Sequence, residues 1–201
     1  LTGYVQLELQ DSFEAIWRYY ESSLEALALL REELREELAA TSPATPGLGA
    51  LLAQHYQGLR PRELDEAMEQ LVNELENEVS LALIACFEAT LRLDLQNRVR
   101  GWKRDKGLGF KELRKEFRRL EKAAPKKKLA RVKWGRILDA WKRVGDAQVV
   151  GQLKPVFRRR HWLAHGRWFT DTSTLTASSP SLFKQRIDDF FEAFPQAKNR
   201  A

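Results

Sequence analysis

Apolar residues recur at three- and four-residue steps through Leu9, Phe13, Ile16, Trp17, Tyr20, Leu24, Leu27, Leu30, Leu34 and Leu38, the period of one face of an α-helix. The spacing predicts a single helix from about Tyr4 to Ala40. A second run, Leu64, Met68, Leu71, Leu75, Val79, Ala82, Ile84, Cys86, Phe87, Leu91 and Leu95, predicts another from Pro61 to about Arg100. Pro61 suits a first turn, where the missing amide had no helical partner. Between the two runs Pro43, Pro46, Gly47 and Gly49 break any helix. Two helices of this length joined by such a connection imply a long antiparallel hairpin. The middle of the second helix is apolar nearly all round and is expected to be the most buried element.

No stretch shows the sustained alternation of a strand, so the expected fold is all-α. It is a helical bundle in which two long antiparallel N-terminal helices are followed by shorter ones. A chain of 201 residues, 43% hydrophobic, can bury one sizeable core, so a single domain over 1–201 is expected. It divides into the hairpin (1–100), a basic helical region (101–146), and a segment holding a motif helix, a loop and a closing helix (147–194). The shorter helices are expected at Phe110 to Lys122, Leu129 to Trp141, Ala147 to about His165, and Ser179-Pro180 to about Phe194. The third of these runs in one piece or in two, with Pro155 opening the second, and Gly166 is its expected stop. The last packs Leu182, Phe183, Ile187, Phe190, Phe191 and Phe194 on the core.

Charge is divided unevenly along the chain. Residues 1–97 carry 6 Lys+Arg against 18 Asp+Glu, a balance of −12, and residues 98–201 carry 28 against 10, a balance of +18. Some of the acidic half, Arg31-Glu32-Glu33 and Arg35-Glu36-Glu37, reads as a solvated helix face whose charges pair weakly at four-residue spacing. The basic half is densest from Arg98 to Arg136, with 17 Lys+Arg against 4 acidic residues, a density suited to several phosphates at once. Lys103, Arg104, Arg114, Arg118, Lys126, Lys127, Lys128 and, further on, Arg167 are the candidate RNA-binding residues. The plain alternative is a solvated face, or one that meets the acidic half. Trp102, Trp134, Trp162 and Trp168 could stack on unpaired bases, although burial in the core is the heavier expectation for so much apolar area.

Several classes are disfavoured. The single Cys86 lies in an apolar run, so no disulfide framework is expected and a buried, reduced thiol is. The longest apolar run, Leu81 to Phe87, falls far short of the roughly 20 residues that cross a bilayer. No signal peptide is evident, and a cytoplasmic location is expected. The polybasic segment has no lipidation signal beside it, which ranks a membrane-surface role behind nucleic-acid binding. His55 reads as a surface or packing residue.

The other two of the three histidines, His161 and His165, stand four apart within Arg158-Arg159-Arg160-His161-Trp162-Leu163-Ala164-His165-Gly166-Arg167. With about 100° per residue, His161 and His165 point to nearly the same side, as do Arg158 and His165. Arg160 lies about 140° round from His165 and joins it only through its long side chain or a frayed helix end. Imidazole beside guanidinium suits RNA cleavage. Histidine can take the 2′-hydroxyl proton or protonate the departing 5′-oxygen, and arginine can stabilise charge growing on phosphorus. That reaction requires no metal or cofactor. A zinc site would want a third ligand and another spacing, and no activated nucleophile is evident. Earlier in the chain Glu88 and Arg92 form either an ordinary intrahelical ion pair or a partly buried carboxylate that orients a catalytic arginine or histidine.

Arg160 and His165, with His161 following the arginine, resemble the Arg-x4-6-His signature of the HEPN superfamily of helical domains. Arg158 and Arg159 satisfy the x6 and x5 forms of the same signature, so the choice of arginine stays open. The resemblance covers most of the chain in helix order, and only these few residues are specific. It implies a metal-independent endoribonuclease that leaves 2′,3′-cyclic phosphate and 5′-hydroxyl ends. It also implies a homodimer whose motif helices meet near the twofold axis. In that reading His165 is the general acid or base, Arg160 stabilises the phosphorane, and His161 orients the phosphate or shares proton transfer. A role in toxin–antitoxin or antiviral defence, with an antitoxin protein as a partner, follows from the same resemblance. The branch that modifies a tyrosine two residues after the histidine is not matched, because Arg167 stands there. The alternative is a non-catalytic RNA-binding or dimerisation module.

Overall fold

The helical period of the first hundred residues produces two long helices, and no strand occurs among the described residues. The structure is a computed structural model that describes residues 4–39, 56, 58–100, 108–124, 129, 132–164 and 179–198. In chain order the helices are α1 (Tyr4–Ala39), α2 (Pro61–Arg100), α3 (Leu108–Ala123), α4 (Trp134–Val144), α5 (Ala147–Ala164), α6 (Pro180–Ala193) and the single turn α7 (Pro195–Lys198). Among the described residues no helix is long and apolar enough to cross a membrane. The chain forms two compact units, Ala15–Val79 on the one hand and Leu1–Glu14 with Ser80–Ala201 on the other.

The unit Ala15–Val79 is an antiparallel pairing of α1 and α2. Pro61 opens α2, and the Arg60 amide donates to Glu63 Oε2 at 2.7 Å, which satisfies a backbone donor just ahead of the first turn. Leu34, Leu64 and Met68 are buried together, with Leu30, Leu38 and Tyr56 packed against them. The buried seam of α2 runs through Leu64, Met68, Leu75 and Val79. Leu71, expected in that stripe, is instead 41% exposed.

The charged face of α1 also departs from expectation. Arg31 and Arg35 both reach across the hairpin to Asp65, at 2.7 and 2.6 Å, so one carboxylate on the facing helix gathers two guanidinium groups. Their hydrogen bonds hold the Asp65 carboxyl below its usual range, Arg35 contributing most. Further along, Tyr20 donates to Glu76 Oε1 at 3.1 Å, and burial together with that carboxylate pushes the phenol up to about 12.

In the other unit burial of α2 extends past the middle expected to be most covered and through its second half, where even Thr90, Asp94 and Arg98 are covered. Asp94 and Arg98 pair at 2.8 Å with both side chains wholly buried, and Arg98 also lies 5.3 Å from the Trp141 ring centre. Phe87 sits at the centre of the aromatic core, edge-on to Phe190 at 5.2 Å and to Phe191 at 5.6 Å. Its burial contributes roughly 1.5–3 kcal/mol. Nearby Cys86 is buried, which pushes its thiol up to about 11. The shorter helices pack in succession, α3 on α4, α4 on α5 and α5 on α6.

Both ends of α4 differ from the sequence expectation. α4 starts at Trp134 rather than Leu129, because Lys133 is extended and the Val132 amide closes a separate turn onto the Leu129 carbonyl at 3.0 Å. It also runs on to Val144, past the expected end at Trp141. α5, expected in one piece or in two, is one helix with Pro155 inside it. Pro155 lies on the exposed side, so the Gly151 carbonyl that loses its helical donor can face solvent. α6 begins as expected, with Ser179 capping the Leu182 amide at 3.3 Å and Pro180 in the first turn.

Candidate functional site

α5 brings the arginine-rich motif to its C-terminal end. Arg158, Arg159, Arg160 and His161 lie on its final turns, and the helix closes at Ala164. The side chains of Arg158, Arg159 and His161 lie outside what the structure describes, as do His165 and Arg167 entirely. Lys103, Arg104, Lys126, Lys127, Lys128, His55, Trp102, Gly166 and Trp168 fall outside the described residues as well.

Arg160 is described, and its partner is Glu88 of α2. Arg160 Nη2 lies 3.2 Å from Glu88 Oε2, while Arg92 Nη2 lies 3.2 Å from Oε1 of the same carboxylate. The Glu88 side chain is 14% exposed, that of Arg92 26% and that of Arg160 36%, so exposure rises from the carboxylate outward to the motif arginine. The intrahelical pair of Glu88 and Arg92 therefore forms, and the other oxygen of the same carboxylate lies against the motif arginine.

Arg92 is fixed from further sides. Its Nη1 donates to the Val132 carbonyl at 3.3 Å, and its guanidinium carbon lies 4.8 Å from the centre of the Trp134 ring. Trp134 in turn stacks on Phe157 of α5 at 4.8 Å, with 15° between the ring planes. A cation over an indole face gains about 0.5–2 kcal/mol, more as water is excluded. Val132 and Trp134, ahead of and at the start of α4, and Phe157 of α5 are thereby joined through Arg92 and Trp134. Trp134 is committed to internal packing, which settles it as a packing residue rather than a base-stacking one.

The contact between Glu88 Oε2 and Arg160 is an ion pair rather than an aligned hydrogen bond, since Oε2 and the buried Arg160 Nε make no hydrogen bond among the described residues. Two guanidinium groups on one carboxylate leave a surplus positive charge, carried by the more exposed of the two arginines. Such a group presents positive charge from a partly exposed position. It can neutralise charge on phosphate without leaving its anchoring carboxylate.

Of the described RNA-binding candidates, Arg114 and Arg118 both lie on α3. They share a shallow groove of about 360 Å³ with Lys111, Lys115, Arg119 and Lys122. Reasoning from sequence did not find the roles of Val132, Trp134 and Phe157 around Arg92. The Trp134-to-Phe157 spacing carries no local signal, because the contact arises only when α4 folds against α5. No family model, no curated protein and no solved structure matches this chain.

Proposed function

We propose that this protein is a cytoplasmic, metal-independent endoribonuclease that cleaves RNA by attack of a ribose 2′-hydroxyl on the neighbouring phosphate. The observation that carries the reading is the Glu88–Arg160 contact, which ties the motif arginine to a largely buried carboxylate on another helix. A simple solvated arginine cluster has no need of such an anchor. The likeness of Arg160-x4-His165 to the HEPN signature supplies the rest. Of the three arginines open on spacing alone, Arg160 is the one we assign to the phosphorane, with Glu88 and Arg92 as its positioning residues.

In the proposed reaction His165 removes the 2′-hydroxyl proton or protonates the departing 5′-oxygen, and His161 orients the phosphate or takes the complementary proton step. Arg160 meets the added negative charge on the pentavalent phosphorus. The products carry a 2′,3′-cyclic phosphate and a 5′-hydroxyl. A twofold pairing of motif helices would supply a second set of groups to one cleft, which fits a homodimer and a part in toxin–antitoxin or antiviral defence. The test is incubation of the purified protein with mixed RNA in excess chelator beside His165→Ala. The variant should lose at least about 100-fold in rate, and equal rates in both would refute the assignment.

A second reading is an RNA-binding module without chemistry, which the cationic groove on α3 favours. Under it, reversing charges on α3 abolishes RNA binding and the cellular phenotype, while His165→Ala leaves both intact.

A further inference from the structure

The six cations of α3 stand at steps of three and four, Lys111, Arg114, Lys115, Arg118, Arg119 and Lys122, and so share one face. From Lys111 to Lys122 that face runs about 16 Å at the helical rise. Lys111, Lys115, Arg118 and Lys122 are exposed, and among the described residues none of the four is in an ion pair. The acidic Glu116 does not offset them, because it is taken up by Arg119 and Arg143, each at 2.6 Å. On the other side of α3 Leu113 and Phe117 are buried, with Phe117 edge-on to Trp141 at 6.3 Å.

These features narrow the occupant. Proteins that hold unpaired strands pair a cationic groove with aromatic side chains on which bases stack. Among the described residues, those that line the α3 groove include no aromatic. The tryptophans of α4 turn inward, Trp134 onto Phe157 and Trp141 into the core. A face that offers charge without stacking suits a double helix, whose bases are paired away and whose phosphates are presented outward. An anionic membrane fits worse, since the apolar residues that would enter the lipid, Leu113 and Phe117, are buried in the protein.

We propose that the α3 face docks the phosphate backbone of a double-helical RNA segment, without regard to sequence. The substrate class is therefore RNA in which a paired stem accompanies the strand to be cut. This rests on the RNA reading given above, and it places stem and cleavable strand on one unit, because α3 and the motif helix α5 both pack on α4.

The experiment measures binding of the full chain to a paired RNA hairpin and to unpaired RNA of equal length, over a range of salt. Lys111→Ala/Lys115→Ala/Arg118→Ala is compared with the unmodified chain and with His165→Ala. The hairpin should bind roughly tenfold or more tightly than the unpaired strand, and the salt slope should fall by about one for each phosphate contact removed. His165→Ala should keep the preference. Equal or tighter binding of the unpaired strand would overturn the proposal, as would an unchanged triple variant, or binding to vesicles rich in phosphatidylserine with the same dependence on these residues. Stem binding through α3 without any cleavage would uphold the docking face and remove the ribonuclease reading. Cleavage without stem preference would do the reverse.

Discussion

Glu88 holds Arg160 at 3.2 Å from a position on α2 that is itself braced by Arg92. The motif arginine is thus referred to the most buried helix of its unit rather than left to the end of α5. Replacing Glu88 by Gln keeps the shape and removes the charge. RNA cleavage by Glu88→Gln should fall about 10- to 100-fold in kcat, with KM changed much less. Single-turnover rates on a saturating substrate give the answer, and Glu88→Asp should recover part of the loss. A variant that cleaves at the unmodified rate would show that Arg160 needs no anchor.

Gly145 closes α4, its amide donating to the Trp141 carbonyl at 2.9 Å. A Cβ at this position would run into the ring of Phe194, which is packed between Trp141 at 5.0 Å and Phe190 at 4.8 Å. The ring has little room to retreat, so Gly145→Ala should destabilise the protein by about 1–3 kcal/mol. Chemical denaturation reads this directly, and an unchanged midpoint would mean that Phe194 moves freely.

Much of this architecture is legible from the chain because its signals are local. Pro61 and Ser179-Pro180 mark helix starts by backbone chemistry alone, and the apolar period of α1 and α2 fixes their length and their buried sides. The contacts that assemble the site are of another kind. Glu88 meets Arg92 within one helical turn, a pairing the spacing announces, whereas its meeting with Arg160 depends on how α5 lies against α2. The same holds for Arg31 and Arg35, whose nearest acidic neighbours in sequence lose to Asp65 on the facing helix. Pro155 leaves one piece or two open for a related reason: a proline that would end a helix in isolation is kept inside α5, where Val156 packs with Ile84 and Phe183.

The hairpin should show a pH dependence of its own. Asp65 has a carboxyl held below its usual range by Arg35 and Arg31. A group depressed on folding adds stability above its unfolded value, about 3.9, and that stability is lost as pH falls through the folded value. Asp65→Asn should therefore be less stable than the unmodified chain at neutral pH, and the difference should shrink as pH falls below about 4. Denaturant titrations at neutral and acid pH test it. A difference that stays constant into the acid range would mean that the two arginine contacts add nothing to folding.

The account turns on the chemistry assigned to the end of α5, and the ends of the cleaved RNA report it most directly. The purified chain, incubated with RNA in excess chelator, should produce fragments that end in a 2′,3′-cyclic phosphate and begin with a 5′-hydroxyl, and Arg160→Ala and His165→Ala should each suppress them. Fragments with 3′-hydroxyl and 5′-phosphate ends, or cyclic phosphate formed equally well by both variants, would contradict it.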